Sequence, residues 1–594
     1  MFFEKGGKAK TIIENLEKGK KILKLEYVQK EEMGTLVKAL QTMHFEIEKL
    51  EFDENNPLDE NFTNLIECLK QTKQTLTKLV VDIYIETQDS VNKLSALFES
   101  QTFPNLKELE IKFKRNTPKA IRKQILGKIG NLAIEKLSFS AREDSGWSCV
   151  VLSELISRNE TISELKFESD DCEPNETDKD IFAAIENNQK IKKVSFRDLN
   201  IQDLLFQNNS TLEMLRFVSC KFSNNALRNL GRFLSKNTSL TNLDLLHCAF
   251  EECLFMDKKY FSNKTLKSVL FCHSNFGEKG SKRISEFLKN NTCLTELNFY
   301  LCEIGESANH ILDALKTKNR VAKLNLSNNR LGEHHAKKIG EILATNDCLE
   351  DLDVARNELD NQVSSIFNSL KDNKTLKVLD CERTFGCNRG NKPEIAELIK
   401  VNTTLTKLNI SCNEIRTKDA REIFDALSHN SSLTEIDISY TSIKSKAFSR
   451  LASMLERNTS LTTINAEDIF VENKEARLLL KAMKRNCSIK YMNLQFEFGE
   501  DLFGGKEMGE IELQMKKEIL INMEIWRRDK QVRPLMMILQ KRRDGNLVSK
   551  LPRRLLIYLL SFLDRSRVDK SSLREKRERE EEEKNDDSKK RRLD

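Results

Sequence analysis

Few residues in this chain are spaced for catalysis. Gly6-Gly-Lys8 and Gly504-Gly-Lys506 are its glycine–lysine clusters, and neither has the GxxxxGK[ST] frame whose backbone N–H groups cradle phosphates. His334-His335 has no glutamate at metalloprotease spacing, and the seven histidines are scattered, so no metal site is expected. No GxSxG elbow and no kinase signature occurs. The fourteen cysteines include no CxxC pair, so reduced, buried thiols are expected rather than disulfides or a metal cluster. The N-x-Ser/Thr triplets at Asn237, Asn263, Asn373, Asn402, Asn430 and Asn458 have the form of glycosylation acceptors. Each stands three residues before an apolar position that recurs along the chain, and that regularity accounts for them. No enzyme activity and no cofactor are expected, which leaves binding.

The elements that must position binding residues come from one recurring frame. In Val321-Ala-Lys-Leu324-Asn-Leu326-Ser-Asn-Asn329-Arg-Leu331, apolar residues occupy offsets 0, 3, 5 and 10 and a small polar residue occupies offset 8. The frame restarts at Leu212, Leu240, Leu266, Leu294, Val321, Leu349, Leu376, Leu405 and Leu433. Offset 8 reads Cys220, Cys248, Ser274, Cys302, Asn329, Asn357, Thr384, Asn413 and Thr441. A short strand turns offsets 3 and 5 to one side, because strand side chains alternate. The chain then turns back, and the polar side chain at offset 8 can bond peptide groups that the turn would leave buried and unpaired. A helix follows, with Val363, Ile366, Phe367 and Leu370 on one face in one copy and Ala420, Ile423, Phe424 and Leu427 in another. One copy buries little alone; stacked copies bury a continuous core.

Intervals near 28 residues, an Asn/Cys/Thr ladder and a full helix per copy resemble the ribonuclease-inhibitor-like class of leucine-rich repeat proteins. The resemblance implies an α/β solenoid, a horseshoe with a parallel sheet on its concave face and helices on its convex face. Its specificity is for fold, since one fold hosts many activities. On the concave face, offsets 2, 4, 6 and 7 would project to a partner. The candidates are Tyr300, Asn325, Asn328, Asp351, Asp353, Arg356, Asp380, Glu382, Arg383, Asn409, Asp437 and Tyr440. Arg and Tyr often anchor protein recognition. The alternative is that Asp and Asn at offset 4 are ordinary solvated strand surface.

Weaker copies start at Ile22, Ile47, Leu76, Leu106, Ile134, Ile162 and Ile191, and two more at Leu461 and Ile489, for about eighteen in all. The step from Ile191 to Leu212 is short and predicts a truncated helical arm. The expected organisation is a cap helix over 1–21, the solenoid over 22–498, a helical cap over 499–545 and an apolar helix over 546–564. A disordered charged tail follows over 565–594. Ile511, Met515, Ile519, Leu520, Met523 and Trp526 suit the cap. The acidic stretch Ser169-Asp-Asp-Cys-Glu-Pro-Asn-Glu reads as a loop, and Gly386, Gly390 and Pro393 mark an irregular copy.

No window holds the ~18 apolar residues needed to span a bilayer, and Met1-Phe-Phe-Glu-Lys-Gly-Gly-Lys lacks the apolar core of a signal peptide. Location in the cytoplasm, or the nucleus, is expected. A net charge of +6 on 594 residues gives no case for specific nucleic-acid binding. The segment Leu551-Pro-Arg-Arg-Leu555-Leu-Ile-Tyr558-Leu-Leu-Ser-Phe562-Leu563 can start a helix at its proline and is apolar nearly all round. It resembles the opening helix of an F-box and, with Leu535-Met-Met-Ile538, a SOCS box. Either would dock a cullin adaptor through Leu551, Pro552, Leu555, Tyr558, Leu559 and Phe562. It covers about fourteen residues and lies after the repeats, where F-boxes usually precede them; a plain capping helix is the alternative. Lys589, Lys590, Arg591 and Arg592 could be a nuclear-import signal or part of a solvated polyampholyte.

The functional expectation is a non-enzymatic protein-recognition scaffold, in one reading the substrate-recognition subunit of a cullin–RING ubiquitin ligase. Ran GTPase-activating proteins share the repeat class, which makes regulation of a small GTPase a rival. The acidic run here is short and followed by bases, and no loop arginine stands out. A ligand-binding or cytoskeletal scaffold without an effector end is the third option.

Overall fold

The computed structural model describes residues 8–25, 28–42, 45–52, 60–71, 75–83, 88–98, 103–113, 117–141, 147–169, 178–204, 206, 208–250, 263–275, 277–316, 320–385, 393–496 and 510–519. The chain divides into two compact units, Met1–Asn357 and Glu358–Asp594. Eighteen parallel strands carry the repeat, thirteen in the first unit and five in the second. Strands alternate with helices in most copies, and each unit is an α/β leucine-rich repeat solenoid.

In the first unit the strands pair in sequence order with the same phase. Leu79 faces Leu109, Leu109 faces Leu137, Val194 faces Leu215 and Leu297 faces Leu324. These are all offset-3 residues, and with offset 5 they are buried. A period of two makes such a register hard to slip, since one step would turn every leucine outward. The first copy departs from the expected frame. Leu23 and Leu25 pair with Leu50 and Phe52 and are buried, whereas Ile22 is 53 % exposed. The copy therefore starts at Lys20, not Ile22; the apolar Ile22 sits at an outward position.

The offset-8 residues do what their chemistry allows. Asn329 donates Nδ2 to the carbonyls of Phe299, Leu326 and Ser327 at 2.7, 2.9 and 3.0 Å. Its Oδ1 accepts the N–H of Cys302 at 3.0 Å, and Asn357 treats Asn329 and Leu331 the same way. Cys302 contributes only a thiol, directed at the carbonyl of Phe271; burial pushes that thiol up to about 12.

A second asparagine ladder runs along the turns before the strands. Asn237 donates to the carbonyl of Asn209 at 2.8 Å and accepts from the N–H groups of Ser239 and Leu240. Asn159, Asn188, Asn209, Asn263 and Asn291 repeat the pattern. The triplet asparagines are thus bonded within the chain.

The short step after Ile191 removes a helix, as expected: none is found among the described residues of 202–213. Phe206 occupies the space. It is buried and meets Phe182 and Phe233 edge-on at 5.2 and 5.7 Å.

The second unit carries strands Val378–Asp380, Lys407–Asn409, Glu435–Asp437, Thr463–Val471 and Tyr491–Phe496, interleaved with helices. Val363, Ile366, Phe367 and Leu370 are fully buried, as are Ala420 and Leu427. The last strand pair shifts register between Ala466 and Phe470, where Asp468 has φ 60°. Residues 510–519 are helical, with Ile511 and Met515 buried. The expected roles of Gly386, Gly390, Leu520, Met523 and Trp526, of the acidic stretch over 170–176, of the apolar segment over 551–563 and of the tail over 565–594 lie outside the described residues. Among the described residues no helix is long and apolar enough to cross a membrane.

Candidate protein-interaction face

Offsets 2, 4 and 6 of the strands look out from the sheet's open face, opposite the buried leucines, and from the copy at Ile191 onward offset 7 stands at its edge. Offset 7 has one backbone state in copy after copy. Asp198, Ser219, His247, His273, Leu301, Asn328 and Arg356 in the first unit have φ between 52° and 59°. So do, within a few degrees, Arg383, Cys412, Tyr440 and Asp468 in the second, at 48°, 56°, 53° and 60°. Left-handed backbone is uncommon for side-chain-bearing residues. Here it is imposed by the turn that follows each strand, and it throws the side chain onto the rim of the open face.

The sequence candidates divide between the two units. In the first, Asn325 and Asp353 at offset 4 prove to be turn residues. Oδ1 of Asn325 accepts the N–H of Ser327 and Oδ1 of Asp353 that of Ala355, both at 2.9 Å. Nδ2 of Asn325 then donates to Oδ2 of Asp353 at 2.7 Å. This is the Asx pattern, in which a short polar side chain bonds the backbone two residues on. Burial raises the Asp353 carboxyl above its ordinary range. Asp351 at offset 2 is half-buried, Asn328 half-buried and Arg356 exposed.

In the second unit Asp380, Asn409 and Asp437 make the same bond to Glu382, Ser411 and Ser439 at 2.9, 3.0 and 2.9 Å. Glu382 is half-buried and Arg383 exposed. Tyr440 is 50 % exposed, and the Glu467 carboxylate beside it raises its phenol. Much of the offset-4 hydrogen-bonding capacity is therefore spent inside the chain, and offset 6 is buried at Ser327, Ala355, Ser411 and Ser439, while Arg356, Arg383 and Tyr440 at offset 7 are exposed.

Around Tyr300 the face holds what the sequence reading missed. Val218, Leu246, Cys272 and Tyr300 occupy offset 6 in four consecutive copies, and His247, His273 and Leu301 stand at offset 7 beside them. Leu270 adds an apolar offset-4 residue. Leu246, Leu270, Cys272, His273, Tyr300 and Leu301 are half-buried and His247 is exposed. The rings form a row: His247 stacks on His273 at 4.0 Å, and His273 meets Tyr300 edge-on at 5.1 Å. Burial and the neighbouring His247 lower the His273 pKa, so His273 is neutral at physiological pH. Burial raises the Cys272 thiol, which keeps it from acting as a nucleophile. The signal was available, since aligning offsets 6 and 7 of the copies at Leu212, Leu240, Leu266 and Leu294 gives the apolar run directly.

Elsewhere the same face is charged and self-paired. Lys136 and Lys78 reach Glu108 at 2.6 and 3.5 Å, Lys112 reaches Glu110 at 3.2 Å and Lys166 reaches Glu164 at 3.3 Å. Such exposed pairs contribute little each. From Leu246 to Leu301 this face carries a run of apolar and aromatic side chains, beside the Arg216–Asp244 ion pair. The adaptor-docking candidates Leu551, Pro552, Leu555, Tyr558, Leu559 and Phe562, and the import candidates Lys589, Lys590, Arg591 and Arg592, lie outside the described residues.

No family model matches the chain. No curated protein matches it either. Among solved structures it is similar to an internalin from Listeria monocytogenes, at 13% sequence identity, with a TM-score of 0.37, over 67% of this chain and 89% of that one.

Proposed function

We propose that this chain is a non-enzymatic protein-recognition scaffold of the ribonuclease-inhibitor-like class, acting in the cytoplasm or nucleus. A partner docks on the first unit's open face over Leu246, Cys272, His273 and Tyr300. The carrying observation is the contrast along that face, between a ring-and-aliphatic row over 246–301 and self-paired lysines and glutamates over 78–169. Rigid aromatic and aliphatic groups, partly out of water and framed by polar neighbours, are the composition from which interface anchors are drawn. The first-unit candidates Asn325, Asn328, Asp351, Asp353 and Arg356 then form the polar surround, with Tyr300 among the anchors. The class assignment is supported by a full helix in most copies and by the Asn/Cys/Thr residues at offset 8.

The apolar segment over 546–564 is the proposed effector end, recruiting a cullin adaptor through Leu551, Pro552, Leu555, Tyr558, Leu559 and Phe562. Its support is the Leu-Pro start and the apolar run itself.

A crosslinking pulldown from the native cell tests both parts. Leu246→Glu with Tyr300→Ala should reduce capture of the dominant partner by tenfold or more, about the loss of one or two anchors, while far-UV circular dichroism stays unchanged. Undiminished capture sinks the docking assignment. Deleting 546–564 should remove a cullin adaptor and spare the partner; an adaptor retained after deletion, or absent from both samples, ends the ligase reading.

A further inference from the structure

We propose that Glu306, His334 and His335 form a binding site for a divalent transition-metal ion of the zinc class. The cluster belongs to the first unit and lies off the open face. Glu306 sits in the short helical turn Gly305–Ser307 of one copy, and His334 and His335 stand in the first turn of helix Glu333–Thr345 of the next. Glu306 and His334 are one 28-residue period apart in sequence, so stacking sets them side by side. Nε2 of His334 is 3.2 Å from Oε2 of Glu306. Tetrahedral zinc with bonds near 2.0–2.1 Å holds its ligand atoms ~3.3 Å apart, so this pair already stands at ligand spacing. One ligating atom from each of the three residues lies within 4.8 Å of the others.

Asn309 donates Nδ2 to the Glu306 carbonyl at 3.0 Å and stands 3.4 Å from Oε2 of Glu306 and 3.3 Å from Nε2 of His334, so its amide now contacts the two atoms that a metal would take. His335 is fully buried, and its ring centroid is 3.7 Å from that of His334. Its Nδ1 accepts the N–H of Gly332 at 3.0 Å, so the neutral ring carries its proton on Nε2. That Nε2 is buried and has no hydrogen-bond partner among the described residues. A cation would occupy that Nε2 at the cost of the Gly332 cap. The ring proton moves to Nδ1, Nε2 gives its lone pair to the metal, and the half-buried Gly332 N–H passes from the ring to water. No net proton is released from His335. Helix capping by His335 and metal ligation are thus alternative uses of one imidazole.

The test is titration of metal-free full-length protein with Zn2+ by calorimetry and with Co2+ by visible absorption. One ion per chain should bind with micromolar affinity or better, and Co2+ should show the intense bands of tetrahedral coordination. His334→Ala and Glu306→Gln should each weaken binding at least about tenfold. His335→Asn, which keeps an acceptor for Gly332, should do the same without lowering the melting temperature by more than a few degrees. Cys487→Ser, removing an exposed thiol, should change nothing. Absence of saturable binding below millimolar Zn2+, or full affinity in His334→Ala, overturns the site. Full affinity in His335→Asn overturns the three-residue assignment.

Discussion

At the scale of single residues, polar side chains in this chain are structural more often than they first look. Asp353 shows the trade. Its carboxylate closes a turn through Ala355 N–H and holds Asn325, and burial raises its pKa above 3.8. A raised carboxyl pKa means the folded state holds the proton more tightly than the unfolded chain. Stability from this group is therefore greatest at low pH and falls as pH rises from 3.8 through the raised value. Asp353→Asn keeps the turn acceptor but sets its amide against Asn325 Nδ2, so it should flatten that dependence in urea melts at several pH values while costing about 1–3 kcal/mol at neutral pH. Asp353→Ala orphans the Ala355 N–H and should cost about 1–3 kcal/mol at every pH. Asn458 is the harsher case. It donates to the Leu427 and Asn430 carbonyls and accepts from Ser460 and Leu461. Asn458→Ala should destabilise the second unit by roughly 3 kcal/mol in denaturant unfolding, because several buried groups lose partners together.

At the scale of the repeat element, the apolar frame was legible because burial on a strand has a period of two. Leu324 and Leu326, or Leu352 and Val354, announce their side of the sheet without help. Ile22 was misassigned for the same reason: an exposed isoleucine beside Leu23 and Leu25 reads as core when the phase is taken from the wrong residue. Asn325, Asp353, Asp380, Asn409 and Asp437 were picked as surface because an Asx turn leaves no mark on composition. Left-handed offset-7 backbone was illegible too, since His, Leu, Arg and Tyr hold positions where glycine or asparagine would be expected. The Glu306–His334 contact was hidden for another reason: a motif search over nearby residues cannot see neighbours one period apart.

At the scale of the whole chain, each unit should be unevenly stable along its length. In the first unit a turn ladder of asparagines runs through Asn159, Asn188, Asn209 and Asn237, whereas at the copy starting at Leu76 the turn is held by Thr75 Oγ1 on the Ile47 carbonyl. Repeat stability is close to a sum of unit and neighbour terms, so local opening should be cheaper where the ladder is missing. Native-state hydrogen exchange should find the strand amides of 243–245 and 324–325 slower than those of 50–52 and 79–81, by a factor of ten or more for an opening difference above ~1.4 kcal/mol. Equal protection along the unit would show that leucine packing alone sets its stability.

The left-handed residue at offset 7, found from Asp198 onward, separates two demands on the chain. Its backbone is set by the turn and by bonds such as Leu301 N–H to the Ser327 carbonyl, while its side chain packs into no core. Substitutions at 247, 273, 301, 328 and 356 can therefore alter charge, size and ring character along the rim with little effect on the leucine interior. A lineage carrying this scaffold could change what it recognises one position at a time and remain folded at every step.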